Sequence, residues 1–168
     1  MDVVRGGVLV AAVLAVGVFA GLFYGFAVAV MPGLRAAGDR TFVEAMQRIN
    51  VAILNGWFFA VFFGAPVLML VAAALHLEPG RRHVLVWIVA ALALYAVVFV
   101  VTVVVNVPLN NALERAGRVA EMADPGAVRA AFEDRWVRWN TVRAVASAAS
   151  LGCLAWALVL YGGALSAG

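Results

Sequence analysis

Polar residues are placed along this chain so that four long stretches are almost free of them. The runs cover Val8 to Val30, about Val51 to Leu75, Val84 to Val105 and about Ala144 to Leu160. Each lies in the range of roughly 17–25 residues that a helix needs to cross the hydrocarbon core, whereas a spanning strand needs only about 9–11. In lipid the backbone must pair its own N–H and C=O groups, so these runs are expected to be helices. The pattern predicts helices over about 6–31, 41–77, 83–107 and 125–162, with a short extra helix over about 112–123. The expected fold is all-α: one domain over 1–168, a four-transmembrane-helix bundle with amphipathic helical extensions on one membrane face. The first run is longer than a signal-peptide h-region and no A-x-A cleavage site follows it, so it is expected to stay as a span.

The connections between the runs are unequal. His76-Leu77-Glu78-Pro79-Gly80-Arg81-Arg82-His83 forms a short turn around Pro-Gly, and both histidines read as solvated turn residues rather than metal or haem ligands. The two longer connections share the opposite face. In the first, Thr41 and Glu44 fit a capping box that would start the second helix. In the second, Asp124-Pro125 reads as an N-cap followed by an N1 proline. The segments leading into the second and fourth spans also repeat: Phe42, Met46, Arg48 and Asn50 have the spacing of Phe132, Trp136, Arg138 and Asn140. A proline just past an apolar run precedes each, Pro32 in one case and Pro108 in the other. A two-fold axis along the membrane normal would relate the halves. Small residues four apart, Gly17/Gly21/Gly25 and Ala144/Ala148/Gly152, predict close helix packing, and the first stripe offers a face for a homo-oligomer.

Composition agrees with this pattern. The chain is 66% hydrophobic and 12% charged, against roughly a quarter charged in a soluble domain. Its net charge of +3 comes from twelve arginines and no lysine. Beside apolar spans, arginines anchor helix ends or touch headgroups, so lipid and not nucleic acid is the expected partner. Nine arginines fall on the face with the long connections and three on the other, which predicts long connections in the cytoplasm of a multi-pass cell-membrane protein. Cys153 is the one cysteine and sits in an apolar run, so it reads as a small buried hydrophobe. No H-E-x-x-H, glycine-rich phosphate loop or Ser-His-Asp set is present, and neither a metal nor a cofactor is expected. Glu44, Glu114, Glu121, Asp124, Glu133 and Asp134 lie among arginines in the connections, where they are expected to be paired or solvated.

The remaining polar and aromatic residues converge on the end of the bundle under the long connections. They are Tyr24; Gln47, Asn50 and Asn55; Thr102, Asn106 and Asn110; and Trp136, Trp139, Asn140, Arg143 and Ser147. Trp136, Asn140, Arg143 and Ser147 share one helix face. A polar side chain facing lipid is costly, so these groups are expected to point inward around a pocket. Arg143, Asn140, Asn50 and Asn106 are the candidate catalytic donors; Tyr24, Gln47, Asn55, Asn110, Trp136 and Trp139 are the candidate substrate contacts. The competing reading makes the asparagines helix caps, the tryptophans an interfacial belt and Arg143 a snorkelling side chain.

Phe23-Tyr24-Gly25-Phe26, Met31-Pro32-Gly33-Leu34, Met46-Gln47-Arg48-Ile49-Asn50, Asn106-Val107-Pro108-Leu109-Asn110 and Trp136-Val137-Arg138-Trp139-Asn140-Thr141-Val142-Arg143 carry a family resemblance. In their order and topology the chain resembles a bacterial member of the anthrone-oxygenase family of small four-helix membrane proteins. The resemblance implies oxidation of a hydrophobic aromatic, anthrone- or quinone-like, because some fungal members oxidise polyketide anthrones to anthraquinones with dioxygen. An anthrone is a flat apolar acid whose anion can react with dioxygen without a metal. Such chemistry asks for an apolar slot, aromatic walls and donors to the enolate oxygen. No histidine or buried carboxylate stands out as its general base. The other function class that fits is a non-catalytic lipid- or quinone-binding, or complex-forming, membrane protein.

Overall fold

The computed structural model describes residues 1–166, so the last two of the 1–168 assigned to the domain lie outside the described residues. Helix α1, Asp2–Gly25, continues through a π-helical segment, Phe26–Val30, into α2, Met31–Arg35. Then come α3, Asp39–Ala52, and α4, Gly56–Leu75. After a 3₁₀ turn at Pro79–Arg81, α5 (Arg82–Val101) passes through a second π-helical segment, Thr102–Asn106, into α6, Val107–Arg115. A 3₁₀ turn at Val119–Glu121 leads to α7, Pro125–Ser166. Four of the resulting stretches, Asp2–Arg35, Gly56–Leu75, Pro79–Arg115 and Pro125–Ala164, are long and apolar enough to cross a membrane, as in a multi-pass membrane protein.

The spans pack in the order α1, α4, α5, α7 and back to α1. Their interior is layered. Leu9, Ala72, Val84, Ile88, Ala157 and Tyr161 fill the end near the short turn. Ala12, Val16, Ala65, Met69, Ala91, Tyr95 and Leu154 fill the middle, and Phe19, Phe23, Phe62, Val98, Ala144 and Ala146 the layer beyond. The amphipathic α3 and α6 and the first part of α7 close that end through a separate cluster that includes Met31, Phe42, Met46, Leu113, Phe132 and Trp136. Positions matched by the sequence repeat meet here: the Phe42 and Phe132 rings lie 6.3 Å apart, and Met46 and Trp136 share the cluster.

Both π segments stand one residue before an X-Pro pair. In a regular α-helix the Pro108 ring would collide with the carbonyl four residues back and leave it without a donor. Widening the helix avoids this, and the Val107 N–H bonds to Thr102 O, five residues back. The same geometry precedes Pro32, where the Met31 N–H reaches Phe26 O. The helix therefore continues past each proline. Pro66 inside α4 is handled differently: it has no N–H for Phe62 O, which accepts from the Tyr95 hydroxyl at 3.0 Å.

Several boundaries differ from the sequence reading. The second helix is not continuous over 41–77; it breaks between Ala52 and Gly56. One side chain serves both ends of the break, because Asn55 Nδ2 donates to Ala52 O and Asn55 Oδ1 accepts from Phe58 N. Thr41 is not a cap: α3 starts at Asp39 after Gly38, and Glu44 pairs with Arg48. The separate helix over 112–123 is absent. Gly117, at φ +85°, ends α6, since a positive φ is cheap only without a Cβ. Asp124 does cap α7, accepting from Ala127 N at 2.9 Å. The glycine stripe does not mediate packing inside the bundle: a Cβ on Gly21 or Gly25 would meet nothing within 4 Å, and one on Gly17 only Leu151 at 3.7 Å. Ala148 and Gly152 are likewise exposed.

His76 is the clearest correction at the short turn. His83 is exposed as expected, but His76 is fully buried, its ring against Tyr161 and its Nδ1 2.7 Å from Ala72 O. Beside it Arg5 is buried and binds Leu75 O, Asp2 and Glu78. Hydrogen bonds from Arg81 and Arg5 hold the Glu78 carboxyl below its usual range. Burial, with Arg81 and Arg5 nearby, pushes the His76 imidazole below the ordinary histidine value of 6.5, although the bond to Ala72 opposes this. The unfolded chain then binds a proton that the folded one resists, so the stabilisation is present above that value and lost as pH falls below it. The melting temperature in detergent is expected to drop between about pH 7.5 and about pH 5, and His76→Gln should flatten that dependence. An unchanged slope in the variant would assign the acid sensitivity to other groups.

Candidate functional site: a cavity beneath the amphipathic cap

A cavity of about 210 Å³ lies where α1, α4, the Thr102–Asn106 segment and α7 meet under α3 and α6. Most of its wall is apolar, with Phe23, Phe26, Phe58, Phe62 and Trp136 among the lining rings. Its polar lining is small: Asn50, Thr102, Asn106, Asn110, Asn140 and Arg143. It exceeds the roughly 150 Å³ apolar cavity that accepts one benzene ring.

Arg143 is the strongest charge there. It is buried within the fourth span, and among the described residues no carboxylate pairs with it. Its Nη2 donates to Asn140 Oδ1 at 3.0 Å and Nη1 to Thr102 Oγ1 at 3.4 Å. The guanidinium carbon lies 4.4 Å from the Phe23 ring centroid and 5.5 Å from that of Trp136. Such cation–π contacts contribute about 0.5–2 kcal/mol each, more when desolvated. Asn140 is held in turn by donating Nδ2 to Phe23 O at 3.1 Å, and Thr102 by donating to Val98 O at 2.8 Å.

Several buried polar atoms of the cavity lining have no hydrogen-bond partner among the described residues: Arg143 Nε, Asn50 Nδ2 and both Nδ2 and Oδ1 of Asn106. Asn106 is 1% exposed. An unpaired buried polar group costs about 1–3 kcal/mol. Three donors and one acceptor left open in one cavity match a ligand that carries oxygen.

Thr102 and Asn106, at the two ends of the π segment, both turn inward. They are four residues apart and both buried, while Val104 between them faces outward. Trp136 is fixed by donating Nε1 to Asn110 Oδ1 at 2.9 Å. Asn50 and Asn140, matched by the sequence repeat, both line the cavity.

The structure thus gathers Arg143, Asn140, Asn50, Asn106, Asn110 and Trp136. The other four candidates lie elsewhere. Tyr24 is 63% exposed on the outer surface of α1. Asn55 is exposed and caps α4. Gln47 donates to Leu113 O and Gly117 O, closing the end of α6. Trp139 is half-buried on α7 and does not line the cavity. Asn55 carried a readable signal, since Asn-Gly is a turn dipeptide. The sequence reading missed the walls made by Phe23, Phe26, Phe58 and Phe62, because in an apolar span any phenylalanine can face lipid equally well.

The sequence profile of the anthrone oxygenase family matches residues 57–153, more than half of the chain. That stretch carries Phe58, Phe62, Thr102, Asn106, Asn110, Trp136, Asn140 and Arg143 of the cavity, but not Phe23, Phe26 or Asn50. No curated protein and no solved structure matches the chain.

The hydrogen-bond pattern separates holding from binding. Asn140→Ala leaves Phe23 O and Arg143 short of a partner and is expected to cost about 1–3 kcal/mol in thermal denaturation. Arg143→Met removes a buried cation and keeps much of its volume, so stability should change by less than about 1 kcal/mol or rise. If Arg143→Met instead unfolds the protein, the arginine is a structural strut and the cavity has lost its strongest argument for a ligand.

Proposed function

This chain belongs to the anthrone oxygenase family, and on that premise we propose that its cavity binds a flat, weakly acidic aromatic ketone as its anion and oxidises it with dioxygen. The observation that carries the reading is Arg143, a buried cation with no carboxylate partner among the described residues, lining an apolar cavity beside unpaired donors on Asn50 and Asn106. A ligand that brings negative charge would compensate it. An anthrone becomes such a ligand by losing a proton from the ring carbon opposite its carbonyl, which moves the charge to the carbonyl oxygen.

Among the residues lining the cavity there is no histidine, aspartate or glutamate. The cation itself supplies a way round this. An opposite charge at close range lowers the pKa of an acid by about 1–3 units, so the bound ketone can yield its proton to water or hydroxide. The carbanion then adds dioxygen, and the peroxide that forms takes up a proton. Loss of water from that hydroperoxide leaves the new carbonyl. One dioxygen is consumed and one water released per substrate; the ring carbon gives up four electrons and the dioxygen accepts them. Asn106 and Asn50 would steady the enolate oxygen and Trp136 the ring face.

A non-catalytic reading, a lipid or quinone binder, is favoured by the same lack of a protein base. Self-association along the Gly17, Gly21 and Gly25 stripe would belong to that reading, supported by the open space at Gly21 and Gly25. In either case we orient the capped end toward the cytoplasm, where eight of the twelve arginines would lie, Arg143 being inside the span.

An oxygen electrode tests the enzyme reading with the purified chain and an anthrone. Consumption should be one dioxygen per anthrone, and Arg143→Met should lower it about 10²–10³-fold, the scale of losing one oxyanion donor. Residual activity in that variant should shift to higher pH by about 1–3 units, because the bound acid has lost its cation. Saturable binding with no oxygen uptake would select the binder; full turnover in Arg143→Met would reject this site.

A further inference from the structure

We infer that the cavity is filled sideways from the bilayer, through a slot between α4 and the Thr102–Asn106 segment, so that its substrate is whatever aromatic the membrane has already dissolved. This rests on the reading of the cavity as an aromatic-binding site. The slot is visible in residues that do two things at once. Leu54, Phe59 and Phe63 on one side, and Val103 and Val107 on the other, line the cavity and are also 62%, 43%, 51%, 49% and 41% exposed. There the cavity wall is the outer surface of the protein.

The opening runs from Leu54, just before the second span, down into lipid. The second span begins at Gly56. Phe63 lies seven residues further along α4, roughly 10 Å below at 1.5 Å per residue. The rim is made of leucine, phenylalanine and valine, which suits acyl chains and not water.

The water-facing side is tied shut by comparison. Trp136 is hydrogen-bonded to Asn110, and Gln47 holds the end of α6 against α3. Above them Arg129 joins Glu133, Asp39 and the Ala37 and Arg35 carbonyls, and Arg35 binds Glu133 and Asp134. A route through the cap would have to open this network together with the buried cluster beneath it.

The rings around the slot favour a flat occupant. Phe59 and Phe63 are within 18° of parallel. Behind them Phe58 and Phe62 differ by 11°, and each stands nearly perpendicular to its rim neighbour, Phe58 to Phe59 at 78° and Phe62 to Phe63 at 76°. A planar molecule can lie against one pair of faces while its edge meets the other, contacts that an acyl chain cannot make. The consequence is a selection rule: unconjugated, membrane-soluble aromatics reach Arg143, and sugar-conjugated or highly charged analogues of the same ring system do not.

The test uses the whole chain in phosphatidylcholine vesicles with an anthrone. At a fixed anthrone-to-lipid ratio, diluting the vesicles should leave turnover per protein unchanged, because the mole fraction in the bilayer sets the rate. Val103→Trp and Val107→Trp narrow the slot from one side. Each should lower kcat/KM by about tenfold, with a smaller fall in kcat, as expected when binding from the membrane and not chemistry is impeded. Turnover that follows the aqueous concentration, or wild-type kcat/KM in both variants, overturns the lateral route. If one variant fails to fold, the other and the dilution series on the unaltered chain still decide. An Arg143→Met control that turns over normally would mean that the site is wrong, a different failure from a wrong route.

Discussion

The guanidinium of Arg143 lies inside the apolar part of α7, and much of the nearby structure is arranged to tolerate it. An arginine in a transmembrane helix costs about 2.5–3.5 kcal/mol at the bilayer centre by insertion measurements. The cost is reduced here by Asn140, by Thr102 and by the faces of Phe23 and Trp136. Each partner is itself fixed. Asn140 spends its amide on Phe23 O, Thr102 its hydroxyl on Val98 O, and Trp136 its indole N–H on Asn110. The charge is thus held by α7, the Thr102–Asn106 segment and α1 together, while the Nε donor has no partner among the described residues.

The two prolines flanking the cap contribute indirectly. In an unmodified α-helix Pro108 would crowd a carbonyl and leave it unpaired; the π turn relieves this while Thr102 and Asn106, four residues apart, stay on the interior face. The Pro32 segment repeats the arrangement on the first helix, so both long helices carry on past the apolar layer and build the cap. What reads in the sequence as two helix ends is in the structure two helix extensions. The same logic explains Asn55: the break that it caps separates the amphipathic α3 from the apolar α4, and Phe58 and Phe59 begin the aromatic wall just beyond.

Charge is segregated by function. At the short turn Arg5 and Arg81 bind Asp2 and Glu78, and at the cap Arg35 and Arg129 bind Glu133, Asp134 and Asp39. These pairs fasten helix ends to one another. Arg143 differs from these anchoring arginines in lacking an acidic partner among the described residues, and it lines the cavity. That contrast within one protein argues for a ligand more directly than burial alone.

Residue type and spacing along the chain are enough to locate the four spans, the side on which polar groups collect, the Asp124 cap and the convergence of Arg143, Asn140, Asn50, Asn106, Asn110 and Trp136. These follow from one cost, that of exposing polar groups to lipid, and the cost depends on residue type and on position along the chain. Tertiary structure alone decided which aromatics make the wall, that Tyr24 and Trp139 stay out of it, that Gln47 and Asn55 cap helices, and that His76 is buried. Inside an apolar span every face is compatible with lipid, so hydropathy has no preferred side to report. Packing against neighbouring helices, and the one-residue shifts introduced at Pro32 and Pro108, supply that missing direction.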